Sequence, residues 1–324
     1  MTRLELALVL ALLVAVPLSL LAGRVWIDPL HPDLANATVI LLELRLPRAL
    51  LAITLGAGLG AAGAAMQGYL RNPLADPGLF GVAPTAALGA VLAMWTGAAA
   101  AWALPLFALS GAGAAMALLG LLAGRQANVA LFTLTGLMIA SLSGALMSLA
   151  ISLAPTSFAL SEIVTWLMGA VTDRSWADFV LAAPLTLAGI VALRLAGSDL
   201  DGLVLGEAAA RSLGLDPRRL QAKLILGIGL TVGAGVAVAG IIGFVGLVVP
   251  HLVRPFTDRR PSRLIVPAAL AGALLLLAAD SLCRLLPLVT ELRLGIALSL
   301  VGAPFFLALL LRLRRGAGPD AGLA

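Results

Sequence analysis

The chain has 324 residues, 61% hydrophobic and 11% charged, with a mean hydropathy of +1.08; soluble domains carry about 25% charged residues, so water is not its main solvent. The net charge of +5 comes from Lys and Arg in short loops between apolar runs, which fits membrane topology and not a nucleic-acid surface. One cysteine, Cys283, and two histidines in different loops, His31 and His251, exclude a disulfide framework and a zinc site.

Apolar segments recur from residue 4 to residue 311 without a polar stretch long enough to fold separately, so residues 1–324 are read as one membrane domain. A hydrocarbon core about 30 Å thick needs roughly 20 helical residues. On that measure ten spans are expected near residues 4–23, 47–69, 77–98, 102–123, 130–153, 177–196, 222–241, 243–256, 264–286 and 293–312. The first run, ending in Leu-Ala-Gly at 21–23, has the outline of a signal peptide, but it is long enough to span and many spans follow. The eighth is short and is kept because ten spans return both termini to one side. Placing the termini in the cytoplasm leaves 15 of the 21 basic residues inside, with Arg24, Arg45, Arg48, Arg174, Arg284 and Arg293 outside. That asymmetry follows the positive-inside rule.

In the second span Gly56, Gly60, Ala64 and Gly68 recur at four-residue spacing, a small-residue stripe that lets another helix approach closely in lipid. The turn that follows, residues 71–78, holds two prolines, and Asp76-Pro77 reads as the start of the next helix. The segment 197–223 is too polar to span. Residues 205–213 read as a short helix with Glu207 in its first turn, Arg211 four residues later and Gly214 as its stop. Asp216-Pro217 then starts a second helix, and the two make a compact cytoplasmic knob. The seventh span repeats the small-residue stripe with Gly229, Gly233 and Ala237, which hints at an inverted repeat. Residues 243–251, interrupted by Gly and Pro, fit backbone that lines a cavity or is buried in protein. Asp280 is the acid well inside a span, and Arg284 one turn later neutralises it locally.

Motifs for chemistry are missing. A P-loop needs a Lys after a Gly-rich turn, and the only lysine, Lys223, follows Gln221 and Ala222. There is no Gly-x-Ser-x-Gly elbow and no His-Glu-x-x-His pair. A catalytic reading has no positive feature, and an ion-coupled carrier would need ionisable groups near mid-membrane beyond the Asp280 pair.

The strings RLPRALLA (45–52), GAAMQGYLRNPLADPGLFGV (63–82), LGEAAARSLGL (205–215), GFVGLVVPHLVR (243–254), LLLLAADSLCRLL (274–286) and ELRLGIALSLVGAPFFLALLLR (291–312) together resemble the FecCD-type permeases. These are the membrane subunits of type II ABC importers for iron-siderophores, haem and cobalamin. One departure is Arg293, where family members often carry proline after the Glu-Leu pair. The resemblance implies an all-α fold of about ten transmembrane helices and an inner-membrane homodimer. It also implies two ATPase subunits that bind ATP and Mg in place of this chain, and an extracytoplasmic binding protein that delivers an iron-siderophore-type chelate, with haem or cobalamin as alternatives. It assigns Leu205, Gly206, Glu207, Arg211, Ser212, Leu213 and Gly214 to contact with the ATPase, and it places a partly apolar cytoplasmic gate at Asn128, Val129 and Ala130, in the loop that begins at Gln126. Arg45 and Arg284 lie outside against the positive-inside trend, at positions where similar permeases meet acidic residues of their binding proteins. The plainer alternatives are that Arg45 lies at the interface beside Glu43 and that Arg284 only neutralises Asp280.

Overall fold

The computed structural model describes residues 2–23, 37–97, 102–123 and 128–316. Arg24, His31, Arg125 and Gln126 therefore lie outside the described residues. Every regular element among the described residues is helical. In chain order these are α1 (Arg3–Leu21), α2 (Ala37–Val39), a π-helical stretch (Ile40–Arg45) running into α3 (Leu46–Tyr69), α4 (Val82–Trp95), α5 (Ala103–Ala123), α6 (Val129–Ser152), α7 (Ser157–Leu167), α8 (Trp176–Leu195), α9 (Gly197–Leu203), α10 (Glu207–Ser212), α11 (Pro217–Ala239), α12 (Val245–Val253), α13 (Pro261–Leu285) and α14 (Leu294–Gly316).

Eight of the described helices are long and apolar enough to cross a membrane. The expected third and eighth spans are shorter than read from the sequence, and local backbone explains both. Asp76 accepts from the Gly78 N–H and caps a 3-10 turn, Pro77–Phe80, so α4 begins only at Val82, after Gly81 in a left-handed conformation. Gly240 (φ 72°) and Phe244 (φ 66°) break the chain between α11 and α12, and Arg254–Phe256 closes α12 as another 3-10 turn. The sequence reading also missed α7. Its 11 residues include Ser161, Glu162 and Thr165, too short and too polar to register as a span, although Thr156 caps it by accepting from Ala159 N–H.

Helices α3 and α11 are buried along most of their length and form the centre. Lipid tails are as apolar as leucine, so close backbone approach, and not exclusion from water, holds such helices together. The stripe on α3 faces α13: a Cβ at Gly56 would meet the Gly272 carbonyl, and one at Gly60 the Ala268 carbonyl. The stripe on α11 faces α5, where Gly229 and Gly233 lie against Met116 and Ala112. The hint of an inverted repeat has a counterpart in this packing. When α3, α4, α5 and α6 are matched to α11, α12, α13 and α14, the pairings α3 with α13 and α3 with α12 recur as α11 with α5 and α11 with α4.

Candidate coupling knob and buried charge network

The charged clusters lie at the two ends of the helix bundle. At one end α9, α10 and the start of α11 form the knob. The long α11 begins at Asp216, which accepts from the Arg218 and Arg219 N–H groups, with Pro217 in the first turn as expected. The second short helix of the knob is instead α9, which the sequence reading did not resolve because it follows α8 almost without a break. Asp201 of α9 accepts from Ser262 N (2.9 Å) and Oγ (2.5 Å), capping α13, and Asp199 pairs with Lys223 Nζ at 2.6 Å. The base of the knob is thereby pinned to α11 and α13.

Helix α10 covers residues 207–212, inside the expected 205–213. Gly206 (φ 97°) and Gly214 (φ 87°) bracket it in conformations that L side chains rarely adopt. Ala210 is fully buried, whereas Leu205 and Leu213 are 64% and 71% exposed at its two ends. Arg211 and Ser212 are exposed as well. Glu207 is half-buried, and its Oε1 accepts from the Val129 N–H at 3.4 Å. Asn128 accepts from Ala130 N (2.7 Å) and Leu131 N (3.4 Å), so the expected gate residues are the cap and first turn of α6.

At the opposite end four charges form a connected set, three of them buried and Glu291 partly exposed. Arg48 donates from Nε to both Asp280 carboxylate oxygens (3.1 Å each) and from Nη2 to Asp280 Oδ1 and Glu291 Oε2 (2.8 Å each). Arg284 Nε lies 3.3 Å from Asp280 Oδ2, and its Nη2 donates to Ser19 of α1 at 2.7 Å. The Asp280–Arg284 pair was expected; its larger partner, Arg48, was not singled out. Burial alone would push the Glu291 carboxyl up, but its hydrogen bond to Arg48, the charge of Arg48 and the Thr172 hydroxyl outweigh burial and hold it below the ordinary value.

Arg45 and Arg284, expected outside as docking positions, lie at this end and are largely covered. They are only 8% and 4% exposed, and Arg45 donates to the Leu20 and Leu21 carbonyls at 2.8 and 2.9 Å. The reason is that α1 packs beside α13 and covers both from one side. On the other side they line a cavity of about 480 Å³ together with Glu43, Arg48, Arg174 and Glu291. A second cavity of about 390 Å³ lies beside α7, between Glu162, Trp166, Asp173, Arg174 and Arg293.

A bundle of apolar helices, with its charged clusters at the ends, a structured knob and no nucleotide motif, defines a membrane permease subunit. The family model for the FecCD transport family matches residues 6–312, and the chain belongs to that family. It is 39% identical over 296 residues to the uncharacterized ABC transporter permease protein YvrB of Bacillus subtilis (strain 168), covering 89% of this chain and 82% of YvrB. It is likewise 39% identical over 299 residues to the vitamin B12 import system permease protein BtuC of Vibrio cholerae, covering 91% and 89%. A solved structure described as an inward-facing conformation of a putative metal-chelate type ABC transporter aligns with a TM-score of 0.86 at 30% identity, over 96% of this chain and 99% of the other. PsaBC from Streptococcus pneumoniae shares the fold, with a TM-score of 0.53 at 15% identity over 86% and 92%. This chain is thus the permease of an ABC importer, integral to the membrane, and ATP hydrolysis belongs to a separate subunit.

Proposed function

We propose that this chain, as an inner-membrane homodimer with both termini cytoplasmic, imports a metal chelate, driven by two ATPase subunits and loaded by an extracytoplasmic binding protein. One observation supports the motor's place above others: the knob presents Leu205 and Leu213 uncovered on either side of α10, on a chain without a nucleotide motif of its own. Two exposed leucines around a six-residue helix fit a docking surface, since a helix this short is not stable without a partner. ATP and Mg would then be held by the ATPase, with no cofactor on this chain.

The substrate class rests on kinship. BtuC relatives carry vitamin B12 in their name and a structural neighbour is titled a metal-chelate transporter, while the sequence resemblance favoured an iron-siderophore. An ion-coupled carrier fits less well, because Asp280 is held by two arginines and is not free to relay protons. The charge-network end is the proposed docking face for the binding protein. An acidic side chain reaching into the 480 Å³ cavity would meet Arg45 and Arg284 in its wall.

The deciding experiment is uptake by proteoliposomes holding the permease, its ATPase and its loaded binding protein, with radiolabelled cobalamin, ferric siderophore and haem offered in turn. ATP-dependent accumulation of one chelate is expected. Accumulation without ATPase subunits, driven by an ion gradient, would overturn the assignment. Reporter fusions after Leu215 should be active in the cytoplasm only, and periplasmic activity would reverse the orientation. Replacing Gly214 by Ile, a β-branched residue that resists positive φ, should leave the subunit in the membrane but lower uptake per ATP hydrolysed. Unchanged uptake and copurification would remove the knob from coupling.

A further inference from the structure

We propose that Glu207 ties the knob to the foot of α6, so that α10 and the first turn of α6 move as one body when the motor acts. This rests on the coupling role proposed for the knob.

The first N–H groups of a helix have no acceptor within it. In α6 two of them, from Ala130 and Leu131, are taken by Asn128 beside them in sequence. The Val129 N–H goes instead to Glu207, 78 residues away on another helix. A carboxylate is favoured at this place because the helix dipole is positive there. Glu207 is itself held in position. It is the first residue of α10, immediately after Gly206 in its positive-φ turn, while the buried Ala210 accepts from Leu215 N at 3.0 Å and closes the other end. Motion of α10 is therefore carried by the Glu207 side chain to α6.

Helix α6 is free to follow. It packs by one face, through Phe132, Thr135, Gly136, Ile139 and Ser143, against α4, α5 and the 3-10 turn before α4. Leu134, Leu137, Leu142 and Leu146 on the rest of its surface are 43–63% exposed, so no neighbour among the described residues of this chain covers that side. The other attachments near the foot are aromatic, and in one of them Phe132 meets Phe80 of the 3-10 turn edge-on at 4.6 Å. Phe132 meets Tyr69 of α3 edge-on at 5.4 Å, and the Tyr69 hydroxyl accepts from Gln221 Nε2 at 2.8 Å. These aromatic contacts bind α6 to α3 and to the turn before α4, and not to α10. The foot of α6 thus stands between aromatic contacts with the core and, among the described residues, one polar tether to α10, and Glu207 is the positioning residue that decides which one it follows.

The test uses the full complex with its ATPase in liposomes and spin labels at Ala130→Cys with Ala208→Cys, and at Ala208→Cys with Ala222→Cys. All three positions are exposed. On trapping ATP, the 208–222 spacing should change while the 130–208 spacing stays constant. In Glu207→Ala the 130–208 spacing should change with nucleotide, and uptake per ATP should fall about threefold, the order expected for loss of one long hydrogen bond. Glu207→Gln, which keeps an acceptor oxygen, should restore most of the constant spacing. A purely local role in folding α10 would not produce that rescue. The tether is overturned if the 130–208 spacing changes in the parent as much as in Glu207→Ala, or if Glu207→Ala alters neither spacing nor coupling while the ATPase still copurifies. If the ATPase does not copurify with the parent chain, the coupling role itself fails and the tether falls with it.

Discussion

Replacing Asp280 by alanine is expected to destabilise the protein by about 3–5 kcal/mol, the loss typical when one member of a buried ion pair is removed and its partner stays behind. Here two partners stay behind. Asp280 takes three of the hydrogen bonds donated by Arg48 and also faces Arg284, and its own side chain is only 1% exposed. Without it two guanidinium groups share Glu291 alone, across a site closed on one side by α1. The only cysteine supplies the readout: Cys283 is buried one turn from Asp280, so a thiol-reactive dye reports unfolding without further labelling. The melting temperature of Asp280→Ala should fall well below that of the parent. The double variant with Arg48→Ala should cost less than the two single losses added, because one change removes the charge that the other leaves stranded. An unchanged melting curve would mean that the carboxylate does not compensate these arginines.

A substitution of Gly60 by valine should be comparably damaging for a different reason. Its Cβ would fall on the Ala268 carbonyl of α13, a backbone atom that cannot rotate away. The α3–α13 pair is the most extensive contact among the described helices, so the axes must part along its whole length. Overpacking of side chains costs about 1–3 kcal/mol, and a backbone obstacle sets the cost at or above the upper end. Gly120→Val on α5 is the control, because nothing lies within 4 Å of the added Cβ. Size-exclusion profiles in detergent should show the monodisperse peak largely lost for Gly60→Val and retained for Gly120→Val. Equal profiles would mean that α3 and α13 do not depend on this close approach.

Much of this protein was legible along the chain. Eight long spans, the stripe Gly56-Gly60, the Asp216-Pro217 helix start and the positive-φ role of Gly214 all came from short-range pattern, because each depends on residues within a turn or two. The misreadings share a physical cause. Helices α4 and α12 were drawn too long since hydropathy runs on through a 3-10 turn or a left-handed residue that does not change composition. Helix α7 was missed since eleven partly polar residues carry too weak a signal by themselves.

What the sequence by itself determined is the solvent and the class. The transfer of a segment into lipid depends on that segment's own side chains, and the missing P-loop excludes a P-loop motor on this chain. Which charges are paired was decided only by the tertiary structure. Arg48 and Asp280 lie 232 residues apart, and the ring of bonds from Ser19 through Arg284 to Asp280 closes only when α1, α3 and α13 stand side by side. The cover over Arg45 and Arg284 was decided in the same way, because burial of a basic residue near the end of a span depends on the helix that packs beside it. The link from Glu207 to Val129 has no signature in either segment, since a helix N–H accepts a carboxylate from wherever the fold delivers one.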